Sequence, residues 1–332
     1  MTHTLLNAHE EETISLFTPS RAYKPFRYPW AYEYWLIHEQ MHWLHTEVPL
    51  ADDVKDFANV LTSCEKNLIT QNLRLFTHQD FLVESAYLDL YIPRFKPFEI
   101  RMMLSSFASR ENIHAVSYSY LIDTLGLPEV EYSAFLEYKE MQAKHEYLQK
   151  FNMDTPYNTA LSMAVFGAFT EGLQLFASFA MLFNFARFGK MKGMSQIITF
   201  SIREETLHVE AIIKLYHALL SEIPSIDREE LTKEIISALQ EIVENEDRYI
   251  DLAFEMGPVE GLTPEEVKQY IRYIGDRRLT QLEIEPIYNI KENPLPWIDE
   301  LMSGVEHANF FEARSTEYSK ASTEGDWGDV FG

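Results

Sequence analysis

A single cysteine, Cys64, stands among 332 residues. The chain can therefore form no internal disulfide, no CxxC pair and no thiolate zinc cage, which excludes dithiol chemistry within it and suits a reducing compartment. Positive charge is also scarce: 28 Lys and Arg face 52 Asp and Glu, a formal net charge of −24. Such a balance argues against nucleic acid or an anionic membrane surface as a partner. Glycine and proline are few, 12 and 14 residues, and apolar positions recur every three or four residues rather than every two. No strand is called for, and an all-α chain is predicted. The N-terminal segment MTHTLLNAHEEETISLFTPS lacks a basic region followed by an apolar run and a small-residue cleavage site. A secretory signal is not expected, and a cytoplasmic location is.

What is abundant is apolar: 46% of positions are hydrophobic and 14% aromatic, enough to bury a large core. Helical periodicity runs from Pro29 to about Trp43 before Val48-Pro49 breaks it, with a short helix near Asp52 to Asn59. Long helices are predicted from about Ser63 to Tyr91, Pro97 to Leu125, Glu129 to Phe151, Thr159 to Phe185, Met194 to Leu220 and Asp227 to Met256. Thr263-Pro264-Glu265-Glu266 has the form of a capping box with proline at the first helical position, so another helix starts there. No Pro/Gly/Ser linker divides the chain. We expect a flexible segment over 1–20, one helical domain over 21–312 and a flexible, acidic tail over 313–332. Helices of roughly 25 residues are about 37 Å long, and a large bundle is their natural package.

The run from Leu161 to Ala186 is long and apolar enough to raise a membrane-spanning reading. Glu171 and Gln174 lie at its middle, where lipid penalises a carboxylate, so a fully buried central helix is the better reading. It leaves Glu171 in need of a proton or a cation.

Three of the eleven histidines have a glutamate three residues earlier: Glu39/His42, Glu111/His114 and Glu205/His208. On a helix, positions i and i+3 share a face, so each pair can aim a carboxylate and an imidazole at one point. Alone, such a pair is an ordinary solvated Glu/His contact. Here two of the pairs come with matching partners, Asp80 lying 31 residues before Glu111 and Glu171 lying 34 before Glu205. Two lone carboxylates plus two Glu-x-x-His pairs facing into a bundle are the ligand pattern of di-iron and di-manganese carboxylate proteins. Four carboxylates, two neutral imidazoles and two divalent ions sum to a formally neutral site. Oxygen and imidazole ligation suits iron or manganese, although intrinsic affinities favour copper and zinc, so the ion stays open.

The third pair belongs to His38-Glu39-Gln40-Met41-His42, which spells the HExxH zinc-protease motif. It needs a third ligand and a cleft, yet it sits in the first helix among Tyr34, Trp35 and Trp43. Tyr118 follows His114 by four residues, one turn further along the ligand face. A tyrosine in that position is usually core packing, but beside a redox metal pair it is the nearest side chain able to give up an electron and a proton. A lasting radical would need dry, aromatic surroundings, which Phe76, Phe81, Phe176 and Phe179 could supply.

The motifs Ser109-Arg110-Glu111-Asn112-Ile113-His114-Ala115-Val116-Ser117-Tyr118, Phe169-Thr170-Glu171-Gly172, Arg203-Glu204-Glu205-Thr206-Leu207-His208 and Asn293-Pro294-Leu295-Pro296-Trp297 resemble the small, radical-generating (beta) subunit of class I ribonucleotide reductase, from about Tyr23 to the C-terminus. The resemblance implies a ferritin-like helical bundle with extra helices and flexible termini. It implies two non-haem iron ions per chain, with manganese or a mixed Mn/Fe pair as variants, held by Asp80, Glu111, His114, Glu171, Glu205 and His208. It further implies a tyrosyl radical on Tyr118 and a homodimer that hands an oxidising equivalent to a large catalytic subunit, where cysteines reduce ribonucleotides for deoxyribonucleotide synthesis. Trp43 matches the pathway tryptophan of the family and Tyr318 its C-terminal relay tyrosine, with Glu312 at the spacing of an associated glutamate; the aromatic, acidic tail matches the segment that docks on the large subunit. One departure matters. Where the family usually has Asp before the second ExxH glutamate, this chain has Glu204, whose extra methylene displaces the carboxylate meant to bridge His114 and Trp43. Glu204 also lies four residues from His208 and could ligate instead, but Glu205 repeats the ExxH spacing. A ferroxidase could use the same bundle but would need neither Tyr118 nor the tail, and a di-iron oxygenase or desaturase would need a pocket reaching the metals.

Overall fold

A computed structural model describes residues 16–302. Helix α1 (Pro29–Gln40) is followed by α2 (Ala51–Lys55), which runs on as a π-helical stretch, Asp56–Val60. Thr62 caps α3 (Ser63–Ser85) by accepting from Glu65 N while the Glu65 carboxylate returns to Thr62 N, so two orphan amide groups are satisfied at once. A π-helical continuation, Ala86–Tyr91, leads into the single turn α4 (Ile92–Arg94), and then α5 (Phe98–Thr124). After α6 (Lys139–Leu148) comes one long helical rod. Its parts are α7 (Pro156–Met163), an eleven-residue π-helical segment Ala164–Gln174, and α8 (Leu175–Phe183). Next come α9 (Lys192–Glu222), α10 (Arg228–Ala253), started by the Asp227 cap, and α11 (Pro264–Gln281), started by the Thr263/Glu266 capping box. Among the described residues no strand occurs beyond an isolated bridge between Val259 and Leu262.

Helix α3 packs along α5, α5 along α1, and the π segment and α8 along α9, with α10 and α11 covering the outer side of the rod. The apolar run expected to be a central helix is that rod, Pro156–Phe188, and its most apolar stretch is wholly buried inside the protein. Two glycines on the π segment set the spacing. A Cβ at Gly167 would overlap Ile212 of α9, and one at Gly172 would stand 2.6 Å from Arg278 Nε of α11, whose Nε donates to the Gly172 carbonyl. Both glycines flank Glu171, so close backbone approach is what brings that carboxylate to its neighbours.

The structure departs from the predicted elements in two places. The expected helix from Glu129 to Phe151 is instead two short 3-10 turns, Glu129–Tyr132 and Ala134–Glu137, followed by α6. Contacts to other elements hold the broken stretch: Arg74 pairs with Glu131 and donates to Tyr138 Oη at 2.8 Å, and Tyr132 donates to Asp123 Oδ1 at 2.9 Å. Tertiary anchoring here overrides helical propensity. Helix α1 also stops at Gln40 rather than near Trp43, closing with Met41 N–H on the His38 carbonyl.

Replacing Gly167 by Ala should cost about 1–3 kcal/mol through overpacking against Ile212. Urea unfolding followed by circular dichroism should show a lower midpoint at unchanged slope. An unchanged midpoint would mean that the rod and α9 are not held at this spacing.

Candidate metal centre

Four helical segments deliver the site. Helix α3 carries Asp80, α5 carries Arg110, Glu111, His114 and Tyr118, the π segment carries Glu171, and α9 carries Ser201, Glu204, Glu205 and His208. Ligand atoms of Glu111, Glu171, Glu205 and His208 all lie within 4.8 Å of one another, and all four residues are buried. His208 Nδ1 stands 3.1 Å from Glu111 Oε1, 3.1 Å from Glu171 Oε2 and 3.5 Å from Glu205 Oε2. His114 Nδ1 stands 3.3 Å from Glu111 Oε2 and 3.2 Å from Glu205 Oε1. Glu111 and Glu205 thus lie between the two imidazoles, one oxygen toward each. Asp80, also buried, is on the His114 side, close enough to feel the charges of His114, Glu111 and Glu205.

This donor set fits divalent cations. Asp80 Oδ2, Glu111 Oε1 and both Glu205 oxygens accept no hydrogen bond, although buried carboxylate oxygens are almost always satisfied. Without a cation, protons must offset the charge. Burial pushes Asp80 well above the usual carboxylate range, and burial with the neighbouring glutamates pushes Glu171 up to about 8. Burial opposes charge on the two imidazoles, yet Glu111, Glu204 and Glu205 around His114, and Glu111, Glu171 and Glu205 around His208, outweigh it and raise both well above the ordinary histidine range. The same imidazoles hold Glu111 low against its own burial.

Both imidazoles turn Nδ1 inward and Nε2 outward, and each Nε2 meets a further partner. His114 Nε2 lies 2.8 Å from Glu204 Oε2, which also accepts from Trp43 Nε1 at 3.1 Å, while Arg110 Nε stands 3.1 Å from the other Glu204 oxygen. The bridge that the longer side chain put in question is therefore made, and Glu204 faces away from the other carboxylates. Trp43 is 2% exposed and lies over His114 with ring centroids 6.3 Å apart. His208 Nε2 lies 3.0 Å from His38 Nε2. Of the HExxH stretch, His38 points inward and is fully buried, whereas His42 follows the end of α1 and faces solvent, so the two do not converge on a zinc ion.

Tyr118 is buried, stacked on Phe76 with centroids 4.4 Å apart and planes 6° from parallel, and its hydroxyl donates to Ser201 Oγ at 3.0 Å. Phe179 stacks on Phe76, and Phe176 meets Phe179 edge-on. Phe81 is a correction: it is 49% exposed and takes no part in this shell, because the residue next to inward-facing Asp80 is turned about 100° around the helix. Tyr318, Glu312 and the 313–332 tail lie outside the described residues.

Sequence reasoning missed Tyr87, whose hydroxyl donates to both Glu171 oxygens at 2.8 Å. Its position seven residues after Asp80, two turns along one face, was a usable signal. Arg110, four residues before His114, carried the same kind of signal. His38 was noticed only as part of a zinc motif, and Ser201 had no signal at all.

A family model described as ribonucleotide reductase, small chain, matches residues 20–294. The chain is 44% identical, over 95% of its length and 88% of the relative's, to a probable ribonucleoside-diphosphate reductase small subunit of Invertebrate iridescent virus 3. It is 31% identical, over 90% of its length and 89% of the relative's, to a ribonucleoside-diphosphate reductase subunit beta of Chlamydia pneumoniae. Among solved structures, the ribonucleotide reductase R2 subunit of Clostridium botulinum superposes with a TM-score of 0.81 at 24% identity, covering 91% of this chain and 98% of that one, a likeness of fold.

Because burial pushes Asp80 and Glu171 toward the neutral acid, and the surrounding carboxylates push His114 and His208 toward the imidazolium, cations and protons would compete for these groups. Calorimetric Mn(II) titrations in buffers of different ionisation enthalpy should register net proton release, with affinity rising from about pH 6 to about pH 8. Affinity independent of pH would contradict this electrostatic picture.

Proposed function

Since the chain belongs to the ribonucleotide reductase small-chain family, a family of oxidoreductase subunits, we propose that it generates and stores a radical on Tyr118 and passes it to a separate large subunit, where ribonucleotides are reduced to deoxyribonucleotides. The observation that carries this reading is the position of Tyr118. The phenol sits on the ligand face of α5, one turn beyond His114, in a buried aromatic stack.

Asp80, Glu111, His114, Glu171, Glu205 and His208 would hold two non-haem iron ions per chain, or manganese in one or both positions, and the bound pair would supply an oxidising equivalent drawn from O₂. Burial, reinforced by Asp80, raises the Tyr118 phenol far above its ordinary value, so it keeps its proton until it is oxidised and then loses electron and proton together. Phe76 and Phe179 keep water and small reductants from the ring. Trp43, joined to His114 through Glu204, is the natural first step of the outward route. Tyr318 would continue it in the 313–332 tail, which we assign to docking on the large subunit, with residues 21–312 forming the metal-carboxylate domain. Apolar side chains left exposed on α3 and α5, including Phe81 and Val116, favour a homodimer through that face. The single thiol, Cys64, suits a cytoplasmic setting and a division of labour in which the reducing cysteines belong to the partner.

Reconstitution with Fe(II) or Mn(II) under O₂ should give a tyrosyl signal by electron paramagnetic resonance in the wild type and none in Tyr118→Phe. No such signal in the wild type with either metal would sink the proposal. Deleting residues 313–332 should leave that signal in place yet abolish nucleotide reduction with the large subunit. Reduction at the wild-type rate would refute the docking role of the tail.

A further inference from the structure

The two imidazoles of the centre have unlike outer partners. His114 Nε2 faces the Glu204 carboxylate, itself held by Trp43 and Arg110. His208 Nε2 faces a third imidazole, His38, at 3.0 Å, in a pocket closed by Phe107, whose ring lies 4.2 Å from that of His208 and 4.9 Å, edge-on, from that of His38. Beyond His38 the contacts continue: His38 Nδ1 lies 2.8 Å from Ser106 Oγ, and Ser106 Oγ donates to Glu39 Oε1 at 2.6 Å on the exposed side of α1.

The direction of this chain follows from valence. An imidazole that offers its Nδ1 lone pair to a cation carries its hydrogen on Nε2, so His208 donates outward and His38 Nε2 accepts. His38 must then carry its hydrogen on Nδ1 and donate to Ser106, which donates in turn to the Glu39 carboxylate. Every donor finds one acceptor, and the chain ends on a group in water. Reversed, it fails at Glu39, since Ser106 Oγ donates there and has no second hydrogen to give.

We propose that His38 is a positioning residue for the metal position served by His208: anchored by Ser106 and Glu39, it fixes the tautomer and ring orientation that present His208 Nδ1 to the cation. The inference rests on the reading of the centre as a dinuclear metal site. It assigns His38 and Glu39, two residues of the HExxH stretch, a role in the metal centre without making either a zinc ligand. It also makes the two metal positions inequivalent, since one imidazole is backed by a carboxylate and the other by a neutral ring.

Mn(II) titration of the full-length chain tests this, with the electron paramagnetic resonance spectrum as a readout independent of activity. Wild type should bind two ions and show an exchange-coupled spectrum. His38→Leu should weaken one of the two sites by about 10–100-fold, leaving at one equivalent the six-line spectrum of a mononuclear ion. His38→Gln, able to accept from His208 through Oε1 and donate to Ser106 through Nε2, should restore the coupled spectrum. Ser106→Ala, a partly exposed and minimal change, should weaken the same site by a smaller factor with native circular dichroism. Two ions bound by His38→Leu with wild-type affinity and spectrum would overturn the proposal, as would equal loss of both ions in a folded variant. Failure of the wild type to bind two ions would instead overturn the dinuclear reading itself, and this inference with it.

Discussion

The structure is organised around a mutual repulsion. Asp80, Glu111, Glu171 and Glu205 converge in an interior almost wholly sealed from water, each no more than 1% exposed. Four carboxylates so close, in so poor a dielectric, cannot all be ionised without cations among them. Without cations that compensation would fall to protons: Asp80 and Glu171 are pushed toward the neutral acid, and His114 and His208 toward the imidazolium. Glu111 stays low only because both imidazoles face it. The same groups, stripped of those protons, form a donor set whose charge two divalent ions would cancel. Ion binding is therefore coupled to the stability of the rod, α3, α5 and α9, which must remain packed to hold the carboxylates together.

The outer partners show how the chain tolerates Glu204. One oxygen of this longer side chain accepts from both Trp43 Nε1 and His114 Nε2, and the other is met by Arg110, whose guanidinium also donates to the Trp43 carbonyl. Arg110 and Glu204 form a buried ion pair that is also hydrogen-bonded on its carboxylate side, the condition under which such a pair can persist in a core. The extra methylene is thus absorbed within a set of contacts that also holds the end of α1. Helix α1 stops at Gln40, and the chain then turns Trp43 toward Glu204 and His42 toward solvent.

That same turn marks the limit of what the sequence made legible. The ExxH pairs were readable because three-residue spacing on a helix is a local property, and their repetition with Asp80 and Glu171 picked out the carboxylates that the fold gathers. The buried rod, the capping box at Thr263 and the all-α class were readable for the same reason. Contacts between helices were not. His38 and His42 would share a face had α1 continued, and only its early end separates them. Phe81 was expected among the aromatic surroundings of Tyr118, but its place next to inward-facing Asp80 points it elsewhere on the helix. The break before α6 depends on Arg74, more than fifty residues upstream of its partners Glu131 and Tyr138.

Glu171 shows what the backbone contributes to the site. It lies within an eleven-residue π-helical segment, and the hydroxyl that reaches both its oxygens comes from Tyr87 in a second π-helical stretch, Ala86–Tyr91. A π turn is much rarer than an α turn and is found frequently at functional sites. Here the Glu171 stretch is wholly buried, the other buries Ala86, Tyr87 and Tyr91, and Gly167 and Gly172 let α9 and α11 approach the wider backbone. Burial and the nearby Glu171 charge raise the Tyr87 phenol well above its usual range, so Tyr87 acts as a donor rather than as another anion. It can hold Glu171 without adding to the charge that the centre must already neutralise. Irregular backbone and excess charge therefore coincide at this centre, and the first supplies a neutral partner for the second.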